Sequence, residues 1–336
     1  EVQKIGAIDF AYRGSNMTVS PAFEMPISET NCVNCGQCAA VCPTGAIVIK
    51  DDTKEVWKDL HDPNVIVAAQ IAPAVRVALG DEFQLPRGTN VMGKIVSALK
   101  RMGFDEVYDT ATGADLTVFE EANELLNKLK LGQKLPLFTS CCPAWFRFAE
   151  IYHPDLTDHI SSCKSPMQMF SSVLKEKHKS KSSGKKSKKA KVVAIMPCTA
   201  KKHESIREEF QYDDGPATDY CITTQELANM IRESGLRFSD ILPVAVDMPY
   251  GIASGAGVIF GTTGGVTEAV IRFIMNNGSN KQLADIAFTG VRGLESVKEV
   301  VIPFKDSLLK FAIVSGLRNA DALIRKIKAG EAYYDF

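Results

Sequence analysis

From Val65 onward the chain alternates between two periods. Short apolar runs, VIVAAQIA, EVYDTA, LPLFTS and KVVAIMP, read as strands, while VMGKIVSALKRMG, VFEEANELLNKLK and ELANMIRESG repeat their apolar residues at helical spacing. Such alternation predicts an α/β domain on a mainly parallel sheet over residues 65–336, closing on LLKFAIVSG and the helix-like LRNADALIRKIKAG. Residues 1–50 are short, turn-rich and cysteine-bearing, and the polar stretch 51–64 (DDTKEVWKDLHDPN) reads as a linker. LPLFTS runs into Cys141 and Cys142, and KVVAIMP runs into Cys198. Ligands in open α/β sheets bind at the carboxyl ends of strands, so both thiol loops are expected to converge on one crevice.

With 336 residues and 45% hydrophobic composition, the chain can bury one large core beside a small appendage. No run approaches the ~18 consecutive apolar residues of a membrane span. The formal net charge of -1 conceals one basic tract: residues 175–191, KEKHKSKSSGKKSKKAK, hold nine lysines against one glutamate. So little of this Ser/Gly/Lys tract is apolar that it reads as a disordered surface insertion. Without interleaved aromatics it is not read as a nucleic-acid surface. Nine cysteines with no leader-like stretch before them point to metal ligands or reactive thiols rather than disulfides, in a chain that stays inside a cell or organelle; any targeting leader would lie upstream of Glu1.

CVNCGQCAAVCP places Cys32, Cys35, Cys38 and Cys42 in the order C-x2-C-x2-C-x3-C-P. A short loop with Gly36 at its turn lets the first three thiolates wrap one iron-sulfur cube. In two-cluster ferredoxins the fourth cysteine of such a run ligates the other cluster. Cys42 therefore either closes a lone cluster or pairs with a motif upstream of Glu1. The start at Glu1 inside an amphipathic pattern and the stop at AYYDF both suggest a fragment of a longer protein.

TSCCPAW (Thr139 to Trp145) and MPCTAKKHE (Met196 to Glu204) resemble the first two signature motifs of the iron-only (FeFe) hydrogenases. GADLTVFEEANEL, SSCKSP, SGAGVIFGTTGGVTEA and VRGLESVKE resemble further stretches of that family, so the likeness covers almost the whole chain. It implies a large, mainly parallel-sheet catalytic domain behind a small ferredoxin-like iron-sulfur domain. It also implies a catalytic centre made of a 4Fe-4S cube linked through a cysteine to a two-iron unit with carbon monoxide, cyanide and a dithiolate amine. By motif position Cys142 and Cys198 ligate the cube. Cys141 stays free, and its thiol passes protons to and from the bridging amine. Lys201 matches a lysine that hydrogen-bonds an iron-bound cyanide, and Ala72 and Pro73 match a loop on the cyanide side of the two-iron unit. Glu121, Glu124 and Lys128 share one helix face at i, i+3 and i+7. The resemblance makes Glu121 and Glu124 the carboxylates of the proton route and Ser161 the hydroxyl between them, giving the order Lys128, Glu124, Ser161, Glu121, Cys141. Ala74 departs from a common serine and Met167 from a frequent glutamine. Cys163 and Cys221 match no ligand position and are expected as buried small hydrophobes.

The family's third motif supplies two more cysteines just after a sequence like YYDF, and it is expected downstream of Phe336. The implied activity is reversible reduction of protons to molecular hydrogen, with electrons entering through the N-terminal 4Fe-4S clusters. The implied partners are ferredoxin or a related electron carrier and the maturation proteins that build the two-iron unit; nucleic acid and membrane insertion are not expected. GTTGGV lacks the G-x-G-x-x-G spacing of a nucleotide-binding turn. Two other readings belong to related proteins. Hydrogenase-like iron-sulfur carrier and assembly proteins share the fold without the two-iron unit and generally lack the first cysteine of TSCCP. A hydrogen-sensing hydrogenase would carry a regulatory domain outside this sequence.

Overall fold

VIVAAQI is apolar on both of its faces, and it forms the inner strand Val65–Ile71, whose last five residues are buried. The computed structural model describes residues 3–181, 188–213, 215–278, 295–305 and 307–336. In it this strand pairs in parallel with Glu106–Asp109 on one side and Lys189–Met196 on the other, and Tyr220–Thr223 extends the sheet to four strands. Parallel neighbours need crossovers, and helices fill them. Val107, Val193 and Ile195 point to one face, where Leu79, Ile95, Leu99, Leu227 and Ile231 of the helices Val75–Glu82, Met92–Met102 and Thr224–Glu233 build the main core. Tyr108 and Val192 point the other way, onto Phe170 and Leu174 of the helix Pro166–Lys181. The long helix Ala111–Leu131 packs against that helix in turn. The expected α/β class with a parallel sheet is therefore what the chain forms.

A second, smaller core lies beside this sheet. The helix Gly265–Gly278 packs on the antiparallel hairpin of Val297–Phe304 and Ser307–Val314, with Ile271, Ile274, Ile302 and Phe311 buried between them. The chain end closes onto the same hairpin: Ala312 N donates to Phe336 O at 2.9 Å and Lys310 N to Asp335 Oδ2 at 2.7 Å. LLKFAIVSG thus belongs to an antiparallel pair rather than to the parallel sheet. Of the VRGLESVKE stretch, residues 291–294 lie outside the described residues.

Three expectations are corrected. LPLFTS is not a strand of the sheet: Pro136 has no N–H for a ladder, and the segment instead runs beside the chain end, with Leu137 N on Asp335 O and one bridge from Phe138 to Ile160. The stretch 51–64 is more than a linker, because it contains the helix Thr53–Leu60, whose Val56 is fully buried in the main core. The lysine-rich tract 175–191 is not irregular in its described parts: its first part continues the helix Pro166–Lys181, its last residues open the strand Lys189–Met196, and 182–187 lie outside the described residues. Its lysines face acids across the fold, Lys175 and Lys191 on Asp219 at 2.6 and 3.0 Å and Lys177 on Glu106 at 2.9 Å.

The helices Ala111–Leu131 and Pro166–Lys181 cross at Gly113, where a Cβ would lie 2.4 Å from Pro166 O and 2.7 Å from Phe170 Cβ. In an open helix alanine is favoured over glycine by about 1 kcal/mol, whereas overpacking a crossing costs about 1–3 kcal/mol. Gly113→Ala is therefore expected to lower the denaturant midpoint. A raised midpoint would show that the two helices part freely.

Candidate cluster and proton-transfer site

Cys198 follows the strand Lys189–Met196 at the carboxyl edge of the sheet. Next to it, Ala72 leaves the end of Val65–Ile71 with its N–H on Ile195 O at 3.0 Å, and Arg76 Nε holds Pro73 O at 3.1 Å. Cys141 and Cys142 arrive from outside the sheet. Cys142 caps the helix Pro143–Tyr152, whose first position is a proline with its φ already set for a helix. Trp145 Nε1 donates back to Thr139 O at 3.1 Å and closes the turn.

Lys201 joins the two thiol loops. Its Nζ donates to Cys141 O at 3.0 Å and to Glu204 Oε2 at 2.5 Å, and the Ser165 hydroxyl donates to the other oxygen of Glu204. Lys201 and Glu204 are only 8% and 5% exposed. Burial opposes the charge on Lys201, but the Glu204 carboxylate outweighs it and the pKa is raised. Burial pushes the Cys142 thiol up against the opposing N–H of Trp145, and charge on the nearby Cys198 adds to the rise. Cys142 also lines a cavity of about 420 Å³ together with Cys35, Trp145, Thr262, Leu317 and Phe336.

Behind Cys141 stands Glu121, fully buried on the helix Ala111–Leu131. Its Oε1 accepts from Ser140 N at 3.3 Å, and its Oε2 has no hydrogen-bond partner. Burial, with a smaller push from Glu124, raises its pKa to about 7. One turn along, Glu124 accepts the Ser161 hydroxyl at 2.6 Å and Ser162 N at 3.2 Å. Burial, then the Glu121 carboxyl, push the Cys141 thiol far above its ordinary value, so it is a neutral thiol with a proton to give across the physiological range. The structure thus gathers Glu121, Glu124, Ser161 and Cys141. Among the described residues no hydrogen bond joins Ser161 to Glu121, and Lys128 turns to Asp158 O at 3.5 Å instead of meeting Glu124.

At the N-terminal end, Cys32, Cys35 and Cys38 face one another closely enough that burial and the two neighbouring sulfurs raise the Cys38 thiol. Asn34 N approaches Cys32 Sγ at 3.4 Å. Cys42 stands apart from the three, where the N–H groups of Ile47, Thr44 and Ala46 and the Thr44 hydroxyl lower its pKa to about 7 and favour the thiolate that iron binds. These thiols are not spaced for a single ion: among the described residues no group of three or more His, Cys, Asp or Glu is arranged to hold one. The three converging thiols fit an iron-sulfur cube, and Cys42, in its cradle of N–H groups, is placed either to close that cube or to serve a neighbouring cluster. Cys142 and Cys198, close together beside the large cavity and the Lys201 ammonium, fit part of a second one.

Cys221 is fully buried, as expected, but Cys163 is not. It is half-buried and lines a cavity of about 270 Å³ with Ser140, Ser161 and Arg147, and burial with the nearby Glu121 pushes its thiol up to about 12. Glu204, Ser165 and Arg147 escaped the sequence reading. Only Glu204 carried a signal, its place three residues after Lys201 in MPCTAKKHE.

Comparison with known proteins adds a lineage to this geometry. Residues 65–336 match the family "Iron only hydrogenase large subunit, C-terminal domain", and residues 25–48 match "4Fe-4S binding domain". The chain is 41% identical over 339 residues to the NADP-reducing hydrogenase subunit HndD of Solidesulfovibrio fructosivorans, covering 99% of this chain and 58% of that protein. It is 38% identical over 294 residues to iron hydrogenase 1 of Clostridium pasteurianum, covering 88% and 51%. The chain therefore spans little more than half of each of these two relatives. A solved structure of apo FeFe-hydrogenase HydA1 from Chlamydomonas reinhardtii superposes with a TM-score of 0.73 at 36% identity, covering 85% of this chain and 80% of that one. At lower identity, 29% over 335 residues, stands a probable cytosolic Fe-S cluster assembly factor of Nematostella vectensis, with 92% of this chain and 75% of that protein covered.

The raised pKa of Glu121 has a thermodynamic sign. The folded chain binds its proton up to about pH 7, while the unfolded chain releases it near the ordinary 4.5, so ionisation makes Glu121 destabilising as pH rises through that window. Glu121→Gln removes the titration. Relative to wild type, its melting temperature is expected to gain between about pH 4 and about pH 8. A difference between the two proteins that is independent of pH would contradict the shift.

Proposed function

The chain belongs to the iron-only hydrogenase large-subunit family, and from that premise we propose that it carries the catalytic part of an enzyme that reversibly reduces protons to molecular hydrogen. The observation that carries this reading is a proton-bearing thiol, Cys141, flanked by a thiol in ligand position, Cys142, and backed by Glu121, a buried carboxyl with one unpartnered oxygen. A site that only stored iron would gain nothing from such a pair.

When bound, the catalytic cluster supplies low-valent iron at which electrons and protons combine. Cys142 and Cys198 would hold two corners of its cube, and the Lys201 ammonium faces the same site. The protein's own share is proton transfer among buried groups. Cys141 gives up the proton that its surroundings keep on the sulfur at rest. Glu121, with its pKa near 7, stands at the right proton affinity to refill it at neutral pH. Glu124, half-buried and held by the Ser161 hydroxyl, is the next carboxyl toward solvent. Lys128 hydrogen-bonds elsewhere, so entry falls to Glu124 itself. Ala72 and Pro73 would wall the side of the site next to Cys198.

Electrons would enter through the cluster held by Cys32, Cys35, Cys38 and Cys42, from a ferredoxin or a related carrier. Maturation proteins would supply the two-iron unit. No described helix is long and apolar enough to cross a membrane. One relative, 39% identical over 344 residues, is named a periplasmic hydrogenase large subunit, so family membership fixes no compartment.

The likeness to the assembly factor favours a second reading, a cluster carrier with no hydrogen chemistry. Cys141 separates the two, because such carriers generally lack it. Cys141→Ser in the matured, full-length protein is expected to retain iron but lose hydrogen evolution by on the order of 10²–10⁴-fold, the size of a general-acid contribution. Hydrogen evolution by the serine protein at the wild-type rate would remove Cys141 from the mechanism. A wild-type protein that loads iron and evolves no hydrogen would favour the carrier.

A further inference from the structure

The loop around Cys32–Cys38 and the loop around Cys198 meet at one hydrogen bond. The Thr199 hydroxyl donates to Asn34 O at 2.8 Å. Asn34 shares its peptide bond with Cys35, and Thr199 shares one with Cys198. The contact is built closely. Gly36, at φ +75°, lies flat on Thr199, and a Cβ there would stand 2.5 Å from the threonine oxygen. A second clamp comes from the helix that starts after Cys142: Arg147 Nε donates to Cys32 O at 2.7 Å. Between the two clamps Val33 is 1% exposed, seated among Ala144, Phe148, Ala200 and Leu317, with Cys35 and Cys198 against the same apolar group.

We propose that Thr199 is a positioning residue whose hydroxyl forms a bonded bridge for electrons between the N-terminal cluster and the catalytic cube. Electronic coupling decays far more steeply across empty space than along bonded atoms. The hydrogen bond lets a path run from Cys35 through its peptide to Asn34 O, across to Thr199 Oγ1, and along the backbone to Cys198. In each transfer the reduced N-terminal 4Fe-4S cluster is oxidised by one electron and the catalytic cube is reduced by one. No bond breaks and no proton moves, and a low-potential carrier of the ferredoxin class restores the first cluster. Arg147 and the buried Val33 hold the loop so that the 2.8 Å contact persists.

The inference rests on the cluster assignments of the functional reading, and its test separates the two. In the matured, full-length protein, the catalytic cube is followed by infrared and electron paramagnetic resonance spectroscopy after photoreduction of the N-terminal cluster. Thr199→Val keeps the shape and removes the hydroxyl; Thr199→Ser keeps the hydroxyl. Valine is expected to slow transfer between the clusters severalfold while iron content and both reduction potentials stay at wild-type values, and serine is expected to restore the rate. Where valine disturbs the packing beside Gly36, Thr199→Ala removes the hydroxyl without added bulk and is expected to be slow as well. Transfer at the wild-type rate in a hydroxyl-free variant, or a serine variant as slow as valine, would overturn the bridge alone. A wild-type protein that shows no catalytic cluster would overturn the functional reading, and the bridge with it.

Discussion

A single buried ammonium holds the two halves of the candidate site together. Lys201 stands on the loop of Cys198 and reaches the backbone of Cys141, and Glu204 lies within hydrogen-bond distance to balance its charge. Taking a lone ammonium out of water costs several kcal/mol, so without Glu204 this lysine would lose its proton or leave the pocket. Glu204 is in turn held by Ser165, at the start of the helix Pro166–Lys181. The relative placement of the thiols is thereby tied to the packing of the α/β core, since that helix seals one face of the sheet.

The same burial governs the proton chemistry. Glu121 is fully buried with a single N–H donor among the described residues, and its proton affinity rises to the neutral range. Cys141, beside it, is raised further still. On the surface at neutral pH the carboxyl would be ionised and the thiol mostly protonated; here both hold protons they can pass on. Glu124, one helical turn nearer to solvent, accepts from a hydroxyl and an N–H and connects the buried pair to the outside.

Much of this was legible in the sequence, for identifiable reasons. Helical spacing put Glu121 and Glu124 on one face, and a long helix did form there. KVVAIMP announced a buried strand, and Cys198 lies at its carboxyl end. What escaped depended on contacts remote along the chain. The lysine-rich tract looked unable to fold because its acidic partners, Asp219 and Glu106, come from remote parts of the chain. LPLFTS had the apolar content of a strand, but its proline and the returning chain end decide its place. DDTKEVWKDLHDPN looked polar overall, yet Val56, with Trp57 and Leu60 beside it, docks a short helix into the core. Arg147 was unreadable for the same reason: nothing near it in the sequence reveals that its target is the carbonyl of Cys32.

On the proposed function, protons and electrons reach one iron site by separate routes. Isotope exchange tests it most directly, because it needs proton access to the active iron and no external electron carrier. Matured, full-length protein under deuterium gas in ordinary water is expected to release HD and H2 continuously, faster below neutral pH, where Glu121 is protonated, than well above it. A protein that contains both iron-sulfur centres and leaves the deuterium gas unexchanged at every pH would contradict the account.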